Sequence, residues 1–143
     1  VGVYIMCDDN DHGGFPQGTD GISSLEEWGA VKATGDQGRV ADAIYPQQPI
    51  IALVYVCAPV AQAIDFVISG ISYADSTTTA AINTAIDEVF FTEGQPGGKI
   101  LWSSLLLAIG EVPGSGGFIM ASPSANIELQ TGKLPVRGTV SYL

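Results

Sequence analysis

The stretch PIIALVYVCAPVAQAIDFVISGI, residues 49–71, constrains the fold more than any other part of the chain. It is rich in β-branched residues and broken by Pro59, so it reads as two strands, IIALVYVC and AIDFVISGI, joined through a Pro-initiated bend. Its longest apolar run, PIIALVYVCAPVA, contains two prolines and falls short of the about 20 residues that a bilayer-spanning helix needs. Strands linked this closely usually lie side by side and antiparallel. The first is expected to be central and the second half-exposed.

The other elements follow from periodicity and punctuation. VGVYIMC, residues 1–7, reads as a buried strand. Ser23 followed by Glu26 forms an S-x-x-E capping box, with Leu25, Trp28 and Val31 at helical spacing behind it, so a helix is expected to start there. Its end is obscured by Gly35 and Gly38, because Val40, Ala41, Ile44 and Tyr45 resume the spacing before Pro46 and Pro49 stop it. Asp75 or Ser76 caps a second helix carrying Ile82, Ala85, Ile86, Val89 and Phe90 and ending at Gly94. GQPGG is a turn, KILW a short strand, and Ser103 the expected cap of a buried helix, SLLLAIG. EVPGSGG is a loop, and the last third lacks helical period. There Val136, Val140 and Tyr142 fall on one strand face and Arg137, Thr139 and Ser141 on the other. The expected fold class is α+β, a largely antiparallel sheet with helices packed on one face, as one domain or two small lobes. Residues 1–47 read as a strand-loop-helix segment finishing an upstream domain of a longer protein, and 48–143 as a C-terminal α+β assembly domain.

Composition limits the partners. A chain of 143 residues buries roughly two-thirds of its unfolded surface without staples, so no cofactor is needed to explain its stability. Five Lys and Arg against fifteen Asp and Glu leave a net charge of −10. Eight of the acids precede residue 43, opposite only Lys32 and Arg39. That balance argues against a nucleic-acid backbone as partner, whose counterions only cationic side chains replace, and it disfavours anionic membrane surfaces for the same reason. Cys7 and Cys57 each sit in an apolar run and read as buried free thiols. The chain opens on Val1 without an initiator Met, as a fragment or processed product would.

The acidic stretch MCDDNDHGGFPQGTD, residues 6–20, raises the question of a metal. With Asp9 at position 1 of an EF-type loop, Asp11 falls at 3, Gly14 at 6 and Asp20 at 12. Position 5 is Gly13, which offers no side-chain oxygen, and the loop follows a strand rather than a helix. The simpler reading is a solvated turn of Asp, Asn and Gly. Zinc through Cys7 and His12 lacks further ligands nearby. A Ser-His-Asp enzyme would depend on His12, the sole histidine, and GISYA at 70–74 lacks the final Gly of a nucleophile elbow. GQPGGKI and GSGGFI each miss a residue of the phosphate-cradling motifs they approach. Glu26-Glu27 and Asp87-Glu88 are adjacent residues that face different directions on a helix, so neither makes an acid/base dyad. No catalytic residue and no cofactor is expected. A calcium- or small-ligand-binding module built on the loop at residues 8–20, through Asp9, Asp11 and Asp20, is the alternative from another class.

Several strings, in order, resemble the baseplate J-like proteins of contractile-tailed bacteriophages. VYVCAPVAQAIDFVISGI is similar to that family's paired strands with an intervening Ala-Pro. AAINTAIDEVFFTEGQPGGKILWSSLLLAIGEVPG resembles its following helix, Pro-Gly-Gly turn, short strand and Ser-capped helix, and ASPSANIELQTGKLPVRGTVSY its closing Pro-Val-x-Gly-Thr strand. VYIMCDDNDHGGFPQGTDGISSLEEWGAVKA fits the segment before them, whereas the glycine-interrupted ATGDQGRVADAIYP departs from the regular helix expected there. The resemblance implies a structural protein of the baseplate wedge at the distal end of a contractile phage or prophage tail, without catalysis. Its partners would be other baseplate and tail proteins, in a homo-oligomer or ring, with no nucleic acid or membrane. It would be made in the bacterial cytoplasm and located in the virion. Family members are longer and carry an N-terminal region absent here. The edge of the final strand is one candidate for pairing with a neighbour.

Overall fold

The β-rich runs on either side of Ala58-Pro59 form strands that do not pair with each other. The computed structural model describes residues 1–143 as two compact units, Val1–Pro59 and Val60–Leu143. The boundary expected after residue 47 lies inside the first of these, because β3 (Tyr55–Cys57) pairs in parallel with β1 (Gly2–Tyr4). The α+β class is as expected: three helices and several small mixed and antiparallel sheets.

In the first unit, β2 (Gly18–Thr19) bridges to Thr34 and Gly35 at the start of α1 (Gly35–Ile44), and a 3₁₀ turn, Tyr45–Gln47, follows. Val54, Val56, Ala33 and Ala41 form its small core, with Val3, Ile5, Val40 and Ile44 packed against them. β1 is half-exposed rather than buried, since only Val3 of its three residues turns inward.

The capping box at Ser23 does not start a helix. Ser23 Oγ accepts from the Leu25 N–H at 3.1 Å and donates to Asp42 at 2.7 Å. The Ile22 N–H reaches the Val31 carbonyl, and the Ala33 N–H the Ile22 carbonyl, both at 2.9 Å. Residues 23–31 are thereby closed into a loop by tertiary ties, which outweigh local propensity. The helix begins at Gly35 because the chain there touches β2. A Cβ on Gly35 would stand 2.1 Å from the Gln17 carbonyl oxygen, and one on Gly18 2.1 Å from that of Thr34. Glycine at 35 therefore opens the helix by close approach instead of interrupting it.

The second unit is built on β4 (Val60–Ser69), the centre of a three-stranded sheet in the order β6-β4-β8. The expected ranking of the two runs is thus reversed: β3 belongs to a pair and β4 is central. Ile50 and Ile51, which made the first run look buried, lie on a turn closed by the Ala52 N–H on the Pro49 carbonyl at 2.9 Å. β6 (Ile119–Ser122) runs antiparallel to β4, and β8 (Lys133–Tyr142) parallel to it from Val60↔Lys133 to Ile68↔Tyr142. A parallel pair requires a crossover. It is supplied by α2 (Ser76–Glu93), β5 (Lys99–Ile100), α3 (Trp102–Gly110), β6 and β7 (Ile127–Glu128), with β5 and β7 antiparallel.

α2 behaves as its sequence predicts. Asp75 is the N-cap, accepting from the Thr78 N–H at 2.7 Å, and Gly94 ends the helix. Ile82, Ile86 and Phe90 recur every four residues and bury against Phe66 and Ile68 of β4, Leu105 and Ile109 of α3, and Met120 of β6. Each such side chain contributes about 1.5–3 kcal/mol on burial. α3 starts one residue before the expected cap. The Glu93 carboxylate takes the Leu101 N–H at 3.0 Å and Asn126 Oδ1 the Trp102 N–H at 2.9 Å, so Ser103 is not needed there. Only one face of α3 is buried, and Leu107 is exposed.

A β-bulge corrects the expected faces of β8. Between paired positions, β4 advances two residues from Ile64 to Phe66 while β8 advances three, from Arg137 to Val140. The extra residue reverses the side-chain alternation. Arg137 consequently lies on the helix-facing side with Val140 and Tyr142, and binds Asp87 of α2 through two contacts of 2.9 and 3.1 Å.

Candidate functional site

Asn10 organises the acidic loop. Its Oδ1 accepts from the His12 N–H at 3.0 Å and the Gly14 N–H at 3.2 Å, and its amide donates to the Phe15 carbonyl at 2.7 Å. The Cys7 N–H closes the turn on the Gly14 carbonyl at 2.8 Å. Asp9, Asp11 and His12 project from this turn into solvent. Asp20 is engaged elsewhere: its Oδ1 accepts from the Ala58 N–H at 2.8 Å and from Gln37 Nε2 at 3.2 Å. The carboxylates that share a calcium-loop register are thus assigned to two different tasks, and no three His, Cys, Asp or Glu side chains converge as a ligand set.

The thiols are free, half-buried and unactivated. Burial pushes both Cys7 and Cys57 up, and the Asp36 carboxylate raises Cys7 further. A nucleophilic cysteine needs the opposite, an electropositive setting. Next to Cys7, Val40, Ala43, Ile44 and Arg39 border a groove of about 460 Å³.

The carboxylates with altered acidity serve the backbone and its caps. The Gln17 N–H, then Arg39, hold Asp36 below the usual range, while Ser23 and Ser24 do the same for Asp42, and the Thr78 N–H for Asp75. The cations are largely committed as well. Arg39 pairs with Asp36, Lys99 with Glu128 at 2.9 Å, and Arg137 with Asp87. The Lys32 ammonium donates to the Glu26 carbonyl.

Several large apolar side chains lie on the surface. In the loop at 23–31, Leu25, Trp28 and Val31 are 55, 75 and 66% exposed, and Ile50 and Ile51 are fully exposed on the neighbouring turn. Spacing had placed the first three on the buried face of a helix. A three-residue repeat fits loop anchors equally well, so no local signal separates the two. In the second unit, β8 lies at one edge of its sheet. No helix is long and apolar enough to cross a membrane.

No curated protein matches the chain. Residues 63–143 match the family model described as the baseplate J-like protein C-terminal domain, a stretch that falls within the unit Val60–Leu143.

Proposed function

The chain belongs to the baseplate J-like family, and from that premise we propose that it is a structural component of a contractile-tail baseplate, making protein–protein contacts in the wedge and turning over no substrate. Membership implies a structural role in a phage tail baseplate. The observation that carries the proposal is the family match over residues 63–143, more than half of the chain and nearly all of one compact unit. The unactivated thiols and the solvent-exposed lone histidine support the absence of catalysis.

In this reading the unit Val60–Leu143 acts as an assembly domain. Partners are other baseplate and tail proteins in a ring or homo-oligomer, and the location is the virion. Edge strand β8 is a surface on which a neighbour's strand can pair. Deleting the gene from its phage or prophage and imaging the particles tests the proposal. Tails without a completed baseplate, restored by the wild-type gene, are expected. Infectious particles with intact contractile tails would refute it.

A further inference from the structure

We propose that the loop at residues 23–31, with the adjoining turn at 49–52, docks a different protein that presents an apolar pocket rimmed by lysine or arginine.

The two segments form one tied structure. Gln48 Nε2 donates to Glu26 Oε2 at 3.0 Å and to the Ala52 carbonyl at 3.1 Å, joining the turn to the loop. The base of the loop is fixed by the Ile22, Val31 and Ala33 backbone bonds, by Lys32 on the Glu26 carbonyl, and by Ser23 and Ser24 on Asp42. A loop held this way presents its side chains without a large ordering cost on binding. What it presents is apolar: Trp28 is 75% exposed and Ile51 98% exposed. Tryptophan is the residue most enriched among binding hot spots, and clustered exposed apolar side chains with a polar rim mark interaction sites.

Charge decides the occupant. Glu27, between Leu25 and Trp28, is exposed, and Glu26 beside it is half-buried with its carboxylate held by Gln48 and the Glu27 N–H, so a partner that covers these tips meets the exposed Glu27 carboxylate with Glu26 behind it. The unit has eight carboxylates and two cations, and both cations are spent internally, Arg39 on Asp36 and Lys32 on the Glu26 carbonyl. A second copy docking patch to patch would set these glutamates against their own images and bring a further charge of −10. A partner with basic residues around an apolar pocket satisfies both the tips and the rim.

The test rests on the baseplate reading, because it uses the full-length protein assembled in tail particles. Trp28→p-benzoylphenylalanine is introduced, incorporation is measured first by mass spectrometry, and the particles are then irradiated. The expected product is a cross-link to a different tail protein at a peptide containing Lys or Arg. Cross-linking to a second copy, or none with the protein present, overturns this proposal alone. Particles lacking the wild-type protein overturn the baseplate reading with it. Trp28→Glu, at a side chain 75% exposed and with folding checked by circular dichroism, is expected to lower incorporation at least about tenfold, as loss of a hot-spot tryptophan does. Unchanged incorporation would contradict the proposal. The isolated chain is expected to sediment as a monomer, and a dimer dissolved by Trp28→Glu would overturn it.

Discussion

The bulge in β8 rests on one glycine and one carboxylate, and their coupling is measurable. A Cβ at Gly138 would fall 2.1 Å from Asp65 Oδ1 and 3.1 Å from the Ile64 carbonyl oxygen. Asp65 Oδ1 accepts the Thr139 N–H at 2.8 Å. Gly138→Ala therefore forces the carboxylate to turn away and breaks that bond. Hydrogen bonds to charged groups are worth about 1.5–3 kcal/mol, and water around exposed Asp65 lowers the figure, so a loss of about 1–2 kcal/mol is expected. In an Asp65→Ala background the carboxylate is gone and only the Ile64 carbonyl oxygen, at 3.1 Å, remains close, a contact that a shift of a few tenths of an ångström relieves. Gly138→Ala should then be within about 0.5 kcal/mol of neutral, the lost freedom of the unfolded chain offsetting the tight contact with the Ile64 carbonyl. Urea unfolding followed by Trp102 fluorescence in a Trp28→Phe background reports the second unit alone. The double-mutant cycle should give a coupling of about 1–2 kcal/mol. Additive effects of the two substitutions would refute the account of the bulge.

Phe66→Ala, which empties the centre of the second core beside Phe90, should destabilise by about 3–5 kcal/mol in thermal unfolding, whereas Ile51→Ala should stay within about 0.5 kcal/mol. Asp36, Asp42 and Asp75 are more acidic folded than free. Their contribution to stability is complete above the ordinary carboxylate value of about 3.9 and is lost as pH falls through the lower folded values. Replacing Asp42 by Asn should therefore flatten the fall in stability below about pH 4, seen by acid titration with circular dichroism. Calorimetric titration with Ca²⁺ should show no saturable binding tighter than about millimolar. Binding lost on Asp9→Ala and Asp11→Ala would restore the calcium reading.

Legibility in the sequence followed locality. α2 was readable because Asp75, the apolar stripe and Gly94 all act within the helix itself. The α+β class was readable because runs and turns alternate along the chain. The helix at Ser23 was misplaced because its hydroxyl answers to Asp42, nineteen residues away. The rank of the strands around Pro59 depended on β1 capturing β3 and on β8 returning beside β4, neither of which leaves a local mark. The faces of β8 were lost to a single bulge. At the candidate sites, the acidic register was visible, whereas the diversion of Asp20 to Ala58 and Gln37 was not. The exposed Trp28 loop carried a helical spacing that concealed it.

A building block of a tail baseplate must be found in the assembled tail. Cryo-electron microscopy of purified tail particles tests it most directly. Density at the distal end that accommodates the three-stranded sheet of Val60–Leu143, with α2 and α3 on one side, is expected in several symmetry-related copies. A complete distal-end reconstruction in which every density is assigned to other proteins would contradict it.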